Sequence, residues 1–276
     1  MFGALAQLVA RYIRIVEVTG SNPVCSTTKS FSKEKDFCLI YRRFSSNIKI
    51  PQHGSENEGE CESMIYCMAD IHGAYDRYLA MLQTIHFCDD DTLYVIGDVI
   101  DRGHQSIEVV LDMISRSNVV FLRGNHEQMC LDDLHRRLWD ARALWQRNGG
   151  GRTRSDLLYK RSPAVRSKIL HYFLSAPTFI DLEVNGRKFH LVHGFPSENE
   201  HDRLWTRPES NAEPPIPNAT VIVGHTPTSF LIGEDESPLR IWHGNGIIDI
   251  DCGCAGRSEL SRLACIRLDD MQEFYI

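Results

Sequence analysis

The feature that most constrains this chain is an alternation of short apolar runs with segments of helical periodicity. Apolar runs at residues 64–68, 92–96 and 119–122 are each followed by a loop and then by a helical pattern. A strand, a loop and a helix therefore recur three times, which predicts a parallel sheet with helices packed against it. Residues 131–174 extend the helical pattern, with an interruption at Asn148-Gly-Gly-Gly.

The second half of the chain changes to strand-like segments. Residues 179–184 and 188–192 flank Asn185-Gly186, a pair typical of a two-residue hairpin turn. Further strands are predicted at residues 220–223, 239–242, 247–250 and 263–268. Together with the first half, these segments predict a mixed α/β fold that contains two sheets.

Residues 1–63 have a different character. Residues 45–63 are polar and without periodicity, as in a linker or a disordered tail. Charged residues interrupt the first apolar segment, which does not fit a signal peptide. Residues 4–27 resemble the peptide obtained when a transfer-RNA gene is translated, because Gly-Ser-Asn-Pro can be encoded by the T-arm sequence. We therefore expect residues 1–63 to be a spurious or disordered extension, with Met64 as the true start; a presequence with an amphipathic helix is the alternative.

The composition limits the partners of the chain. Its 276 residues carry a formal charge of −7, which argues against broad attraction to nucleic acid. No apolar run reaches the length of about eighteen residues that a membrane span needs. The nine cysteines include no CxxC pair, and scattered thiols are typical of cytoplasmic proteins. We expect a cytoplasmic protein that binds neither nucleic acid nor membranes; the sequence leaves its oligomeric state open.

A set of polar side chains follows the ends of the predicted strands. They are Asp70, His72, Asp98, Asp101, Arg102, Asn125, His126, His193 and His225. Open α/β sheets bind ligands at the carboxyl ends of their strands, so these loops are expected to meet in one cleft. Carboxylate and amide oxygens together with imidazole nitrogens suit Mn, Fe or Zn. Two such ions about 3.5–4 Å apart, bridged by a carboxylate, activate water and clamp the attacking and leaving oxygens of a phosphoester.

These residues occur in five short motifs. The motifs are Asp70-Ile-His-Gly, Gly97-Asp-Val-Ile-Asp-Arg-Gly, Arg123-Gly-Asn-His-Glu, Val192-His-Gly and Gly224-His-Thr. In this combination the chain resembles the calcineurin-like metallophosphoesterases of the phosphoprotein phosphatase branch, in particular the bacterial and phage-lambda-type serine/threonine protein phosphatases. The resemblance covers residues 64–276, which are interpreted as a calcineurin-like phosphoesterase domain. It implies an α/β fold in which a two-sheet β-sandwich is flanked by helices, in the layer order α/β/β/α.

The resemblance implies that six of these residues hold two divalent metal ions. One ion would be bound by Asp70 and His72, the other by Asn125, His193 and His225, and both by Asp98. The expected ions are Mn²⁺, with Fe or Zn as alternatives. The sequence departs from the family at Ala69, where relatives usually have Gly, and alanine is compatible unless that position needs a positive φ.

Four further residues are implied to act on the phosphoester. His126 would be the general acid, with Asp101 orienting it, and Arg102 and Arg207 would bind phosphate oxygens. A carboxylate beside such a histidine fixes its tautomer and raises its basicity. The planar guanidinium group suits phosphate because it can bind two oxygens at once.

The implied function is metal-dependent hydrolysis of phosphate monoesters by a metal-activated water, as in serine/threonine protein phosphatases. The substrate would be a phosphorylated protein or a small phosphoester. The alternative is a symmetrical dinucleoside-tetraphosphate hydrolase, a family that typically lacks the equivalent of Asp101 and has Asp rather than Glu at the position of Glu127. A second alternative is a non-catalytic regulatory relative, against which the complete set of ligands argues. Substrate choice is expected to lie in loops over the cleft, at residues 139–162 and 195–218.

Overall fold

The computed structural model describes residues 63–210, 213–233, 237–256 and 258–276. The predicted N-terminal extension, apart from Ser63, lies outside these described residues. Within them, no helix is both long and apolar enough to cross a membrane.

The first part of the domain alternates strands and helices as the sequence predicts. Its elements are β1 (Ile65–Met68), α1 (Tyr75–Thr84), β2 (Thr92–Ile96), α2 (Ser106–Ser115), β3 (Val119–Leu122) and α3 (Asn125–Leu134). β1 pairs with β2 and β2 with β3, both in parallel. The helices α1 and α2 provide the crossovers that return the chain in the same direction, which parallel pairing requires.

A helical segment follows before the chain enters the second sheet. It consists of α4 (Ala141–Arg147), α5 (Gly151–Ser155), a π-helical turn (Asp156–Lys160) and α6 (Pro163–Ser175). The predicted interruption at Asn148-Gly-Gly-Gly separates α4 from α5. The last helix starts with a standard cap, because the Ser162 hydroxyl accepts a hydrogen bond from the Val165 N–H and a proline occupies the first turn.

The remaining elements build a second sheet and complete the first. They are β4 (Phe179–Val184), β5 (Arg187–Val192), α7 (Glu200–Trp205), β6 (Thr220–Val223), α8 (Ser229–Ile232), β7 (Trp242–His243), β8 (Ile247–Asp249), β9 (Ala264–Arg267) and β10 (Glu273–Tyr275). The first sheet has the order β10-β9-β1-β2-β3, and the second has the order β4-β5-β6-β8-β7. The hairpin prediction is confirmed: β4 and β5 are antiparallel, and Asn185 and Gly186 both have positive φ.

Two details of the strand prediction are wrong. The strand expected at residues 239–242 is reduced to the two-residue β7, because the Leu239 N–H donates to the Leu260 carbonyl instead of a sheet neighbour. The last strand, β10, was not expected from the pattern, and it pairs with β9 in antiparallel fashion. The first difference depends on a contact outside the segment itself, whereas β10 pairs with the strand that directly precedes it.

The two sheets pack face to face, with helices on the outside of the first. Alternate side chains of β1 show this arrangement: Tyr66 and Met68 join the core beneath the helices, whereas Cys67 joins a cluster with Leu191 and Ile222 of the second sheet. Burial on both faces explains why β1 is apolar throughout. The predicted α/β fold, a two-sheet β-sandwich flanked by helices, is confirmed.

Candidate metal centre

The predicted ligands converge on the buried carboxylate of Asp98. Its Oδ2 atom lies 3.8 Å from His72 Nε2 and 3.7 Å from His126 Nε2, and its Oδ1 atom lies 3.3 Å from His193 Nε2. The Asn125 side-chain amide is 3.0 Å from the same His193 nitrogen. Asp98 thus stands between His72 and His126, which follow strands of the first sheet, and His193, which follows a strand of the second.

Two clusters of potential ligand atoms share Asp98. One contains His72 and His126, and the other contains His193 and His225. The first cluster differs from the set that the sequence suggested, since it includes His126. Asp70 is nearby, with its Oδ1 atom 3.9 Å from His72 Nε2, and its other oxygen accepts a hydrogen bond from the His225 N–H.

Three of the histidines each turn one nitrogen toward a backbone carbonyl. A carbonyl only accepts, so the nitrogen facing it carries a proton, and in the neutral imidazole the other nitrogen keeps its lone pair. The pairs are His72 Nδ1 with Ile100 at 2.9 Å, His193 Nδ1 with Ile96 at 3.0 Å, and His225 Nε2 with Trp205 at 3.1 Å. The buried Nε2 atom of His72 has no hydrogen-bond partner among the described residues. Such free, inward-facing lone pairs fit metal ligation.

The charge states of these histidines follow from burial and from their neighbours. Burial lowers the pKa of His72 far below its usual value, and burial together with His193 lowers the pKa of His225 to about 3. Burial acts in the same direction on His193, but Asp98 outweighs it and raises the pKa of that imidazole to about 10. His72 and His225 are therefore neutral, the form that binds metal.

Additional buried carboxylates surround the site. Burial and the neighbouring Asp251 raise the pKa of Asp70 well above its usual value, and burial raises that of Asp251 to about 6. Asp249 shows the same upward shift of its pKa, first from burial and then from Asp251. Carboxylates crowded together away from water need positive charge, and divalent cations supply it. The residues present thus fit a metal pair.

Asp249 and Asp251 were not identified from the sequence. They lie at and just beyond the carboxyl end of β8, which is next to β6 in the second sheet. Their sequence pattern is similar to that of the other predicted site residues, because two acidic residues come at the end of an apolar run. It was missed because the segment was interpreted only as a strand.

A histidine–carboxylate pair lies beside the two clusters. His126 Nδ1 is 2.7 Å from Asp101 Oδ2, and the indole N–H of Trp145 donates to the same oxygen at 2.6 Å. Burial alone would lower the pKa of His126, but Asp98 and the hydrogen bond to Asp101 raise it above its usual value. The pair therefore favours a protonated imidazole with a fixed orientation.

The two arginines occupy different positions at the site. Arg102 reaches into it, with Nη2 3.3 Å from His126 Nε2. Arg207 is exposed, and its guanidinium lies over the Phe230 ring at 5.4 Å from the centroid. Its charge adds to the lowering of the His225 pKa and opposes the upward shift of the Asp249 pKa, which indicates that it lies near both residues.

The loops that carry the site have an unusual backbone. Positive φ angles occur at Asp70, His72, Asp98, Asp101, Arg102 and His225. Ala69 is not among the residues with positive φ, so the departure from glycine there is compatible with the fold. Gly124 allows a close approach, since a Cβ atom at this position would lie 2.2 Å from Asp98 Oδ1.

Glu127 holds two of these loops together. Its Oε2 atom accepts hydrogen bonds from the Asp98 and Gly124 N–H groups at 3.0 Å, and its Oε1 atom accepts from Val99 at 3.0 Å and Ile100 at 3.3 Å. Burial, with Asp98, raises the pKa of this carboxyl group to about 7. From the sequence alone, Glu127 serves only to distinguish between two families. In the structure, its carboxylate positions the loops that contain Asp98 and Gly124.

Replacing Glu127 with glutamine is expected to destabilise the domain. Glutamine has one acceptor oxygen, so two buried N–H groups lose their acceptor at a cost of about 1–3 kcal/mol each. Urea unfolding at about pH 8, above the pKa of Glu127, would measure the loss. Glu183→Gln, at an exposed position of β4, is the control. Equal stability of the two variants would contradict the positioning role.

Comparison with known proteins shows two kinds of relative. The chain is 28% identical over 177 residues to serine/threonine-protein phosphatase 2 of Salmonella typhimurium, which covers 58% of this chain and 78% of that protein. It is 42% identical over 64 residues to the symmetrical bis(5'-nucleosyl)-tetraphosphatase of Salmonella paratyphi B, covering only 22% of this chain and 23% of that protein.

A solved structure and a family model each cover more of this chain than the two relatives do. The crystal structure of a metallophosphoesterase from Sphaerobacter thermophilus covers 77% of this chain and 86% of its own, with a TM-score of 0.50 and 19% identity, which is a likeness of fold. The family model of the calcineurin-like phosphoesterases matches residues 63–251 of this chain. The chain therefore belongs to the calcineurin-like phosphoesterase family of metal-dependent hydrolases.

Proposed function

We propose that the protein hydrolyses phosphate monoesters and acts as a serine/threonine protein phosphatase with two Mn²⁺ ions. The observation that carries this proposal is the pair of donor clusters that share Asp98, with the His126–Asp101 pair beside them. The clusters suit two metal ions, and the histidine pair suits transfer of a proton to a leaving group. Hydrolysis of a phosphate monoester of an alcohol requires both the metal ions and the proton donor.

The ligand assignment proposed here follows the family motifs. Asp70 and His72 would hold one ion, Asn125, His193 and His225 would hold the other, and Asp98 would be a ligand common to both. When bound, the two ions polarise the phosphoryl group and activate water for attack. The backbone carbonyls behind His72, His193 and His225 hold a ring proton on the nitrogen that faces away from the site, which leaves the opposite nitrogen as the one that would bind metal.

Proton donation is assigned to His126. The oxygen that leaves a phosphoserine is a strongly basic alkoxide, so its departure requires a proton in the transition state. The Asp101 carboxylate holds the Nδ1 proton, which directs Nε2 toward the site. Trp145 donates to the same carboxylate oxygen and fixes its position. His126 and its two supporting residues thus form the acid that an alkoxide leaving group needs.

Phosphate binding is assigned to Arg102 and Arg207. Arg102 is close to His126 Nε2, where its guanidinium would hold phosphate oxygens beside the leaving group. It also lines a cavity of about 460 Å³, together with Phe230 and Leu239. This cavity has room for the group that carries the phosphate. Arg207, above the Phe230 ring, would close the phosphate site from the rim.

The alternative substrate is a symmetrical dinucleoside tetraphosphate, which the relative from Salmonella paratyphi B supports. Cleavage of such a substrate releases a nucleoside phosphate rather than an alkoxide. Phosphate groups have a second pKa of about 6, so this leaving group needs little help from an acid. The intact His126–Asp101–Trp145 arrangement therefore favours the phosphatase.

A substrate panel tests the proposal directly. The full chain, supplied with Mn²⁺, is expected to release inorganic phosphate from phosphoserine and phosphothreonine peptides and to cleave diadenosine tetraphosphate poorly. Phosphate release and nucleotide chromatography would measure the two activities in one preparation. Cleavage of the dinucleotide alone would overturn the phosphatase assignment, and inactivity on both classes would support a regulatory relative.

A leaving-group comparison tests the role of His126. His126→Gln is expected to lower kcat on phosphoserine peptides by about 10²–10⁴, the range for loss of a general acid. The loss on p-nitrophenyl phosphate is expected to be much smaller, because nitrophenolate leaves without a proton. His190→Gln is a matched control, since His190 pairs with Asp181 at the same 2.7 Å separation outside the site. Equal losses on both substrates would refute the assignment of His126 as the acid.

A further inference from the structure

One third of the basic residues of the chain lie in the helical segment from residue 135 to residue 168. This segment contains ten Lys and Arg but only two Asp, in a chain with 30 Lys and Arg and 37 Asp and Glu. Its formal charge is therefore +8, whereas the whole chain carries −7. Charge of one sign concentrated in a single segment creates a local positive potential on an otherwise acidic protein.

Part of this charge surrounds a cavity. The cavity has a volume of about 470 Å³, and its lining includes Arg137, Arg142, Arg154, Arg166, Leu138 and Trp139. We call these six residues the arginine pocket. Three of its four arginines, Arg137, Arg142 and Arg166, make no ion pair with any residue that the structure describes, whereas Arg154 pairs with Asp133 at 2.6 Å. Three guanidinium groups are thus available to an anionic partner.

The arginine pocket also exposes large apolar side chains. Trp139 is 98% exposed and Leu138 is 50% exposed. A tryptophan in full contact with water forgoes the burial that its large apolar surface favours. Trp and Arg are also the residues most enriched among those that dominate binding energy in protein interfaces. The composition of the pocket is that of a protein-binding surface.

The arginine pocket is joined to the active site through α4. Arg142 and Trp145 lie on the same short helix, one turn apart. Trp145 is completely buried and donates its indole hydrogen bond to Asp101. Where α4 ends, the Gly149 carbonyl accepts a hydrogen bond from the Arg102 N–H. A partner bound at the arginine pocket is therefore held by the same helix that supports the proposed acid.

We propose that the arginine pocket binds an acidic segment of the phosphoprotein substrate, in which carboxylates flank one large apolar side chain. The carboxylates pair with Arg137, Arg142 and Arg166, and the apolar side chain packs on Trp139. This inference rests on the proposed protein phosphatase function and adds a recognition site outside the catalytic cleft. Nucleic acid fits less well, because the arginines border one pocket that also contains Asp133, rather than forming a continuous stripe.

Direct binding tests the proposal without any need for turnover. The probe is a fluorescent, unphosphorylated peptide of Glu residues around one Phe, titrated with the full chain and followed by anisotropy. Arg142→Glu is expected to weaken binding by about tenfold or more, which corresponds to about 1.4 kcal/mol, since arginine is among the residues that dominate interface energies. Trp139→Ala is expected to weaken it as well. A peptide with Gln in place of Glu is expected to bind poorly to the unchanged chain.

Controls separate this site from general charge effects. Arg187→Glu makes the same charge change at an exposed position of the β4–β5 hairpin and is expected to leave peptide binding unchanged. Equal weakening by Arg187→Glu and Arg142→Glu would overturn the proposal, as would an acidic peptide that fails to bind. Tighter binding of a single-stranded oligonucleotide, lost in Arg142→Glu, would reassign the pocket to nucleic acid and also overturn it.

Catalysis provides a second readout that distinguishes this inference from the proposed function. The ratio of kcat/KM for a phosphoserine peptide with acidic flanks to that for a neutral one is expected to fall in Arg142→Glu through a higher KM. Hydrolysis of p-nitrophenyl phosphate reports the cleft alone. Absence of p-nitrophenyl phosphate hydrolysis by the unchanged chain would contradict the proposed function. An unchanged kcat/KM ratio in catalytically active Arg142→Glu protein would contradict only the docking proposal.

Discussion

Burial of the Asp98 carboxylate is the constraint on which the rest of the site depends. The residue is 1% exposed, so it is nearly cut off from water. Burial opposes its ionisation, but His193, His126 and His72 together hold the pKa of Asp98 well below its usual range. A charge in this position must be matched by positive charge and by hydrogen bonds. The strands, loops and glycines around Asp98 meet these requirements, and the same requirements make the site suitable for metal ions.

The loops around Asp98 support one another through backbone hydrogen bonds. The His72 N–H donates to the Asp98 carbonyl at 2.9 Å, and the Gly103 N–H donates to the His72 carbonyl at 2.9 Å. The Glu127 carboxylate holds the same region by accepting hydrogen bonds from the Asp98 and Gly124 N–H groups. Left-handed conformations at residues other than glycine cost of the order of 1–3 kcal/mol each and persist only where the surroundings impose them. The stability of the two packed sheets thus maintains a strained but well-defined arrangement of ligands.

Much of the fold could be predicted from the sequence because its signals are local. The bounds of β2 agree with the apolar run at residues 92–96, and the hairpin follows from Asn185-Gly186. The candidate metal ligands could be proposed from the sequence because each follows a strand. Contacts between distant segments were not predictable: Trp145 reaches Asp101 across 44 residues, and nothing in the pattern around either residue indicates this. Asn125 and His126, expected in a loop, form the first turn of α3 instead.

The number of metal ions bound by the chain tests the central claim most directly. After chelation and reloading with Mn²⁺, the unchanged protein is expected to retain about two ions per chain, as a shared carboxylate between two donor clusters implies. Asp98→Asn is expected to lose both ions, because the substitution weakens the ligand common to the two clusters, while unfolding measurements check that the domain stays folded. Two ions retained by folded Asp98→Asn protein, or no ion bound by the unchanged chain, would contradict the account.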